Sequence, residues 1–213
     1  MQYLSWYLSL ILFAVSTCGS PGPNNIMIMS SGANHGIRRS MPHAIGINIG
    51  FPVMVILVGV GLGEALHRLP VLLDILRPLG VAYLLYLAYR IMSAPTDTDA
   101  EADGAASTRN NRPLTLRQAA LFQFVNPKAW VMVIGALVTY GTATGSVVTR
   151  ILLIALIFFV FGAPCTAAWL WLGASLKQFL TNPRLLRGFN IAMATLPAVS
   201  VVPTIVEVYH SIR

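Results

Sequence analysis

The sequence predicts an all-α, polytopic membrane protein: six transmembrane helices forming two inverted three-helix repeats, with the first and fourth helices broken. Composition is the first reason. Of 213 residues, 56% are hydrophobic and only 10% charged, and mean hydropathy is +0.71, whereas soluble domains sit near ~45–50% apolar and ~25% charged. The second reason is uncharged length. Tyr3 to Ser31 holds no charged residue, which at about 1.5 Å per residue is enough to cross a ~30 Å hydrocarbon core. The third is that glycine and proline recur at matching places in the two halves.

The first span, Tyr3 to Ser31, carries Ser20-Pro21-Gly22-Pro23-Asn24-Asn25 near its middle. Its prolines remove backbone donors and favour non-helical backbone, so a break is expected there. Freed backbone groups are tolerated in lipid only where other helices or a water-lined cavity satisfy them. A solute site and a packing kink both meet that condition. No basic residue precedes the span and its apolar run continues past the break, unlike a cleavable signal. Asn34-His35-Gly36-Ile37-Arg38-Arg39 then reads as a basic turn, and the second span, His43 to Ala65, is rich in glycine. Such small residues let helix backbones approach closely. Leu66 to Arg77 reads as an interfacial connection, and Pro78 to Met92 as the third span, with Tyr83, Tyr86 and Tyr89 as packing or interface anchors.

Composition changes abruptly from Ser93 to Pro113, where acids sit among small polar residues, a pattern without a core. Residues 1–94 are therefore expected to form the first repeat, 95–113 a flexible linker, and 114–213 the second repeat. The fourth span is Leu114 to Tyr140, the fifth Val147 to Leu176, and the sixth Gly188 to Val208, interrupted by Pro197 and Pro203.

Nine lysines and arginines fall in or beside the first, third and fifth loops (Arg38, Arg39, Arg90, Arg109, Arg112, Arg117, Lys177, Arg184 and Arg187), against four on the opposite side. The positive-inside bias places the linker in the cytoplasm and both termini outside. Gly50-Phe51-Pro52 with Gly61 is echoed by Gly162-Ala163-Pro164 with Gly173, and Gly22-Pro23-Asn24-Asn25 by Asn126-Pro127-Lys128-Ala129. Three spans per half force the second copy to enter the membrane in the opposite sense, the inverted-repeat plan of many secondary transporters.

Lys128 is the only Lys, Arg, Asp or Glu well inside an expected span. A lysine at the bilayer centre costs about 2.5–3.5 kcal/mol on the lower scale, so its default reading is functional, against a snorkelling lysine nearer the interface. Four of the seven acids lie in the linker, and Glu64, Asp74 and Glu207 near span ends. No midplane carboxylate is left to hold a metal cation or relay protons, and no metal site or cofactor is expected. If protons are coupled, the candidates are Lys128, His43 and the solute's own groups. Asn24, Asn25, Asn48, Gln123 and Asn126 are amides in apolar runs, able to join helices, satisfy the broken backbone or bind a solute. Cys18 and Cys165 read as small core residues. Enzyme and nucleic-acid motifs are missing.

Ser20-Pro21-Gly22-Pro23-Asn24-Asn25-Ile26 followed by Ser30-Ser31, His35-Gly36, Arg38 and Ser40 resembles the LysE/RhtB amino-acid exporter family. Gly80-Val81-Ala82-Tyr83-Leu84-Leu85-Tyr86-Leu87 and Phe124-Val125-Asn126-Pro127-Lys128 fit the same pattern, and the Asn24-Asn25 version is most similar to its cysteine/O-acetylserine branch. Many relatives have an aspartate where this chain has Asn24, a departure that removes an acid suited to a cationic solute. The resemblance implies efflux of an amino acid or close derivative across the bacterial inner membrane, driven by the proton gradient. The expected solute site is Pro21, Gly22, Pro23, Asn24, Asn25, Gln123, Asn126, Pro127 and Lys128, with Gly50, Pro52, Gly162 and Pro164 as bends. A channel or scaffold whose broken helices only pack is the alternative. Small-residue faces serve packing within one chain as readily as a homo-oligomer contact.

Overall fold

Chain reversals and close helix contacts bring two interrupted helices to one point. The computed structural model describes residues 2–62, 112–141, 146–176, 178–180 and 182–200, with isolated positions between 82 and 93. Most of the expected third span and linker, the segment 66–77 and the end of the sixth span lie outside the described residues. Among the described residues every regular element is a helix: α1 (Gln2–Gly19), α2 (Pro23–Leu57) ending in a π turn (Val58–Leu62), α3 (Leu116–Phe122) with a 3-10 turn (Gln123–Val125), α4 (Pro127–Tyr140), α5 (Val147–Leu176) and α6 (Pro183–Ser200).

By length and composition Pro23–Gly61 and Val147–Leu176 can each cross a membrane, and Leu116–Val125 with Pro127–Tyr140, bent by 69°, make a third where the bent pair is one broken span. Pro23–Gly61 is not one rod. Gly36 has φ 77°, ψ 172°, outside the helical region, and the Ser31 and Ser40 hydroxyls meet at 2.7 Å. Nine residues along a straight helix would separate them by about 13.5 Å. The chain therefore turns back at Gly36, where a positive φ favours glycine. The basic turn expected over residues 34–39 is thus confined to one residue, and helix resumes at Ile37 rather than His43. Likewise, α6 begins at Pro183, five residues before the expected sixth span.

Contacts set the directions of the spans. Tyr140 Oη donates to Ser9 O (3.1 Å) while Lys128 reaches Ser20, so α4 runs antiparallel to α1. Gly59 meets Ile151, Phe51 stacks on Phe158 with ring centroids 4.9 Å apart, and Gly162 faces Asn48, so the limb 37–57 runs antiparallel to α5. Backbones touch where glycine allows it: a Cβ on Gly50 would lie 2.5 Å from Ala120 Cα, and one on Gly173 would strike the Met29 carbonyl. The outward faces are apolar stripes at helical spacing: Leu4, Leu8 and Leu12; Ile45, Ile49, Val53 and Leu57; Val131, Ile134 and Val138. These are surfaces for lipid, and with lipid as solvent the helices associate through close packing and hydrogen bonds rather than by escaping water. Tyr86 and Tyr89 are exposed, as interface anchors are. Helix continues through Pro52 and Pro164.

Candidate functional site

Ending a helix inside a membrane leaves its last four carbonyls without partners, and the chain answers each one for α1. Ser16 O accepts from Ser20 N (3.1 Å). Thr17 O accepts from Ser20 Oγ (2.9 Å), Cys18 O from Asn25 Nδ2 (2.6 Å), and Gly19 O from Trp169 Nε1 (3.1 Å). The break itself exposes two more. Ser20 O accepts from Asn25 Nδ2 (2.8 Å) and from Lys128 Nζ (2.7 Å). Lys128 Nζ also donates to Ser20 Oγ (2.8 Å) and Pro21 O (3.3 Å). An ammonium has three donors, and all three are engaged here. The carbonyl end of α1 carries a partial negative charge that favours a cation at this point. Gly22 is extended, and its missing side chain makes the approach possible, since a Cβ there would lie 2.6 Å from Lys128 Cδ.

The second break is built locally. Thr115 and Gln118 form a capping box that starts α3. The 3-10 turn follows, and Asn126 then caps α4, its Oδ1 accepting from Lys128 N (3.1 Å). Trp130 Nε1 donates to Phe124 O (2.8 Å). Proline opens the helix after each break, Pro23 in α2 and Pro127 in α4, a position where its missing N–H costs nothing. Between the breaks, Asn24 Nδ2 donates to Gln123 Oε1 (2.8 Å) and Gln123 Nε2 to Asn24 Oδ1 (3.3 Å).

Around the meeting point lies a small, partly open cavity of about 40 Å³. Gly22, Asn24, Asn25, Asn126, Lys128 and Ala129 bring both helix starts to its wall. Asn48 and Thr166 add an amide and a hydroxyl, and Phe51, Met132 and Phe158 an apolar wall. Among the described residues no carboxylate lines it. One apolar cluster, including Leu10, Met54, Val133 and Ile154, packs on the side away from the Gly36 turn. A smaller one, including Ile28, Ala119, Phe122 and Leu170, packs on the turn side.

Of the expected residues, Gly22, Asn24, Asn25, Asn126 and Lys128 line the cavity. Gln123 lies fully buried behind Asn24. Pro21 supplies a carbonyl to Lys128, while Pro23 and Pro127 start the helices. Pro52 and Gly162 also line the cavity, whereas Gly50 packs on α3. Ser20 was missing from the expected set although it holds Lys128 twice; its place next to Pro21 was the available signal. Cys18 packs against the larger apolar cluster, as expected of a small core residue, and also lines the cavity.

Two interrupted membrane helices meeting at a polar cavity with an apolar wall define the class, a membrane carrier for a small solute. The sequence pattern of the LysE type translocator family matches residues 15–201, and the chain belongs to that family. It is a transporter and not an enzyme. The chain is 26% identical over 185 residues to the cysteine/O-acetylserine efflux protein of Escherichia coli K12, an alignment covering 86% of this chain and 89% of that one. It is 31% identical over 124 residues to the leucine efflux protein of Klebsiella pneumoniae, covering 58% of this chain and 57% of that protein. No solved structure matches the chain.

Proposed function

We propose that this protein exports a neutral amino acid or close derivative across the bacterial inner membrane by proton antiport, through the cavity where the two breaks meet. The observation that carries this reading is the lining itself: one ammonium, two helix starts, an uncommitted amide and hydroxyl, and an apolar wall. The helix starts of α2 and α4 offer amide hydrogens and positive dipole ends for a carboxylate, with Lys128 beside them to neutralise it. Asn48 and Thr166 make no hydrogen bond in this state, leaving acceptors for the solute's ammonium. Phe51, Met132 and Phe158 face a short apolar side chain. A second cation would meet Lys128, with no acid among the described residues to balance it, which disfavours lysine and arginine as cargo.

Antiparallel pairing of α1 with α4, and of the limb 37–57 with α5, supports the plan of two inverted three-helix repeats. Exposed Arg38, Arg39, Arg112, Arg117, Arg184 and Arg187 gather at the Gly36 end, which supports a cytoplasmic position for that end and outer positions for both termini. Residues 95–113 then join the repeats in the cytoplasm. Rocking of one repeat against the other alternates access, with Gly50, Pro52, Gly162 and Pro164 where the second and fifth spans flex.

The test is efflux from cells preloaded with labelled cysteine, O-acetylserine, leucine, threonine, homoserine or lysine, each with and without a protonophore. Faster loss of one neutral solute, stopped by the protonophore, is expected. Loss that survives the protonophore removes proton coupling and keeps export. Acceleration of lysine alone, or of nothing, overturns the reading of the cavity.

A further inference from the structure

The two sides of the cavity differ in kind, and His43 marks the difference. Among the described residues, Ser30, Ser31, Ser40, His43 and Asn190 are all buried on the Gly36 side, while no Asn, Gln, Ser, Thr or His is buried on the other. Most of these polar groups are satisfied. Ser31 bonds Ser40, Asn34 Nδ2 donates to Asn190 Oδ1 (2.9 Å), and Asn190 Nδ2 returns a bond to Asn34 Oδ1 (3.2 Å). His43 is not satisfied. Its side chain is 2% exposed, and neither Nδ1 nor Nε2 has a hydrogen-bond partner.

A neutral imidazole carries one donor and one acceptor, and burying both unpaired destabilises the packing that encloses them. A leucine would fill the same space without that cost. The position of His43 accounts for its presence. On the buried face of α2, Ser40 lies one turn before it and Ile47, which lines the cavity, one turn after. His43 thus stands between the cavity and the Ser31–Ser40 pair, on the side where, among the described residues, buried Ser, Asn and His side chains gather.

We propose that His43 is a loading-side station: when the packing around the Gly36 end loosens, its N–H donates to, and its bare nitrogen accepts from, water and the zwitterion passing to the central cavity. Its amphoteric edge fits a zwitterion, N–H to carboxylate and bare nitrogen to ammonium. In the closed state its unmet bonds bias this side to reopen, while the opposite, apolar side stays shut. This inference rests on the transport reading above.

The experiment compares His43→Leu and His43→Gln with the unaltered protein in proteoliposomes, using the solute identified by the efflux panel. His43→Leu should hold or raise the thermal midpoint, lower transport by about ten-fold and raise the half-saturating concentration on the Gly36 side. Equilibrium binding in detergent should stay within about two-fold, and His43→Gln, which keeps a donor and an acceptor, should recover most of the flux. Transport by His43→Leu within about two-fold of the unaltered protein overturns the proposal, as does a fall in thermal midpoint shared by both variants.

A second arm does not need a known solute. His43→Cys, with Cys18→Ser and Cys165→Ser, is exposed to a membrane-impermeant thiol reagent from each side. Labelling from the Gly36 side alone supports the station. Labelling from neither side, or equally from both, overturns it, whether or not any solute in the panel is exported.

Discussion

The two breaks do the same job with unequal independence. Each interrupts a membrane helix and restarts it at a proline. The second is completed by its neighbours in sequence: Asn126 caps α4 and Trp130 reaches Phe124, both within six residues. The first relies on distant chain. Gly19 O needs Trp169, and Ser20 O and Pro21 O need Lys128, more than a hundred residues away. A locally completed break can hold its shape while its surroundings move. One completed from another helix changes when that helix moves, so the shape of the Ser20–Gly22 break depends on how α4 and α5 pack beside it.

The largest effect should therefore come from Lys128→Ala. It strips partners from Ser20 O, Ser20 Oγ and Pro21 O at once, and charge-assisted bonds contribute about 1.5–3 kcal/mol each before solvent compensates. Efflux is expected to fall by about a hundred-fold and the thermal midpoint to drop, with Lys128→Arg giving no rescue because Gly22 already limits the space beside the stem. Retained solute affinity with a lowered midpoint would make Lys128 a strut for the break alone. Gly22→Ala comes next. Its Cβ pushes the Lys128 stem aside without removing the charge, so a loss of about ten-fold in efflux, measured in the same cells, is expected.

Asn25→Ala and Asn126→Ala test the asymmetry directly. Asn25 serves Cys18 O and Ser20 O in the dependent break, so its loss leaves one buried carbonyl unmet and should cost about 2 kcal/mol. Asn126 supplies one cap bond, and its loss should cost about 1 kcal/mol. Chemical-denaturation midpoints of the purified variants decide the order of these two local contributions.

Both breaks were legible because Pro and Gly act through covalent geometry, which needs no partner to be visible. The partners were not legible. Lys128 announces itself as a charge in an apolar run, but nothing local says that its three hydrogens go to Ser20 and Pro21 rather than to a solute. Gly36 was hidden inside six residues of mixed polarity, since a one-residue reversal leaves helix-compatible sequence on either side. The repeat glycines were matched by spacing, yet Gly61 takes φ 130° with open space around it while Gly173 packs on the Met29 carbonyl. Equal spacing in sequence marked equal positions along a helix and not equal tasks.

The smallest expected effect probes the reciprocal amide pair of Asn24 and Gln123, which joins the two breaks. If the halves rock about the cavity, this pair must loosen in one state, so its worth in the docked state should be modest and its influence on rate visible. A double-mutant cycle with Asn24→Ala and Gln123→Ala is expected to give a coupling of about 1 kcal/mol in denaturation midpoints. Gln123 also donates to Ala119 O (2.9 Å), so the cycle, and not either single variant, isolates the bond across the breaks. In transport, removing a bond that must break should speed the step it restrains. Coupling near zero in both measurements would mean that the two breaks communicate through Lys128 alone.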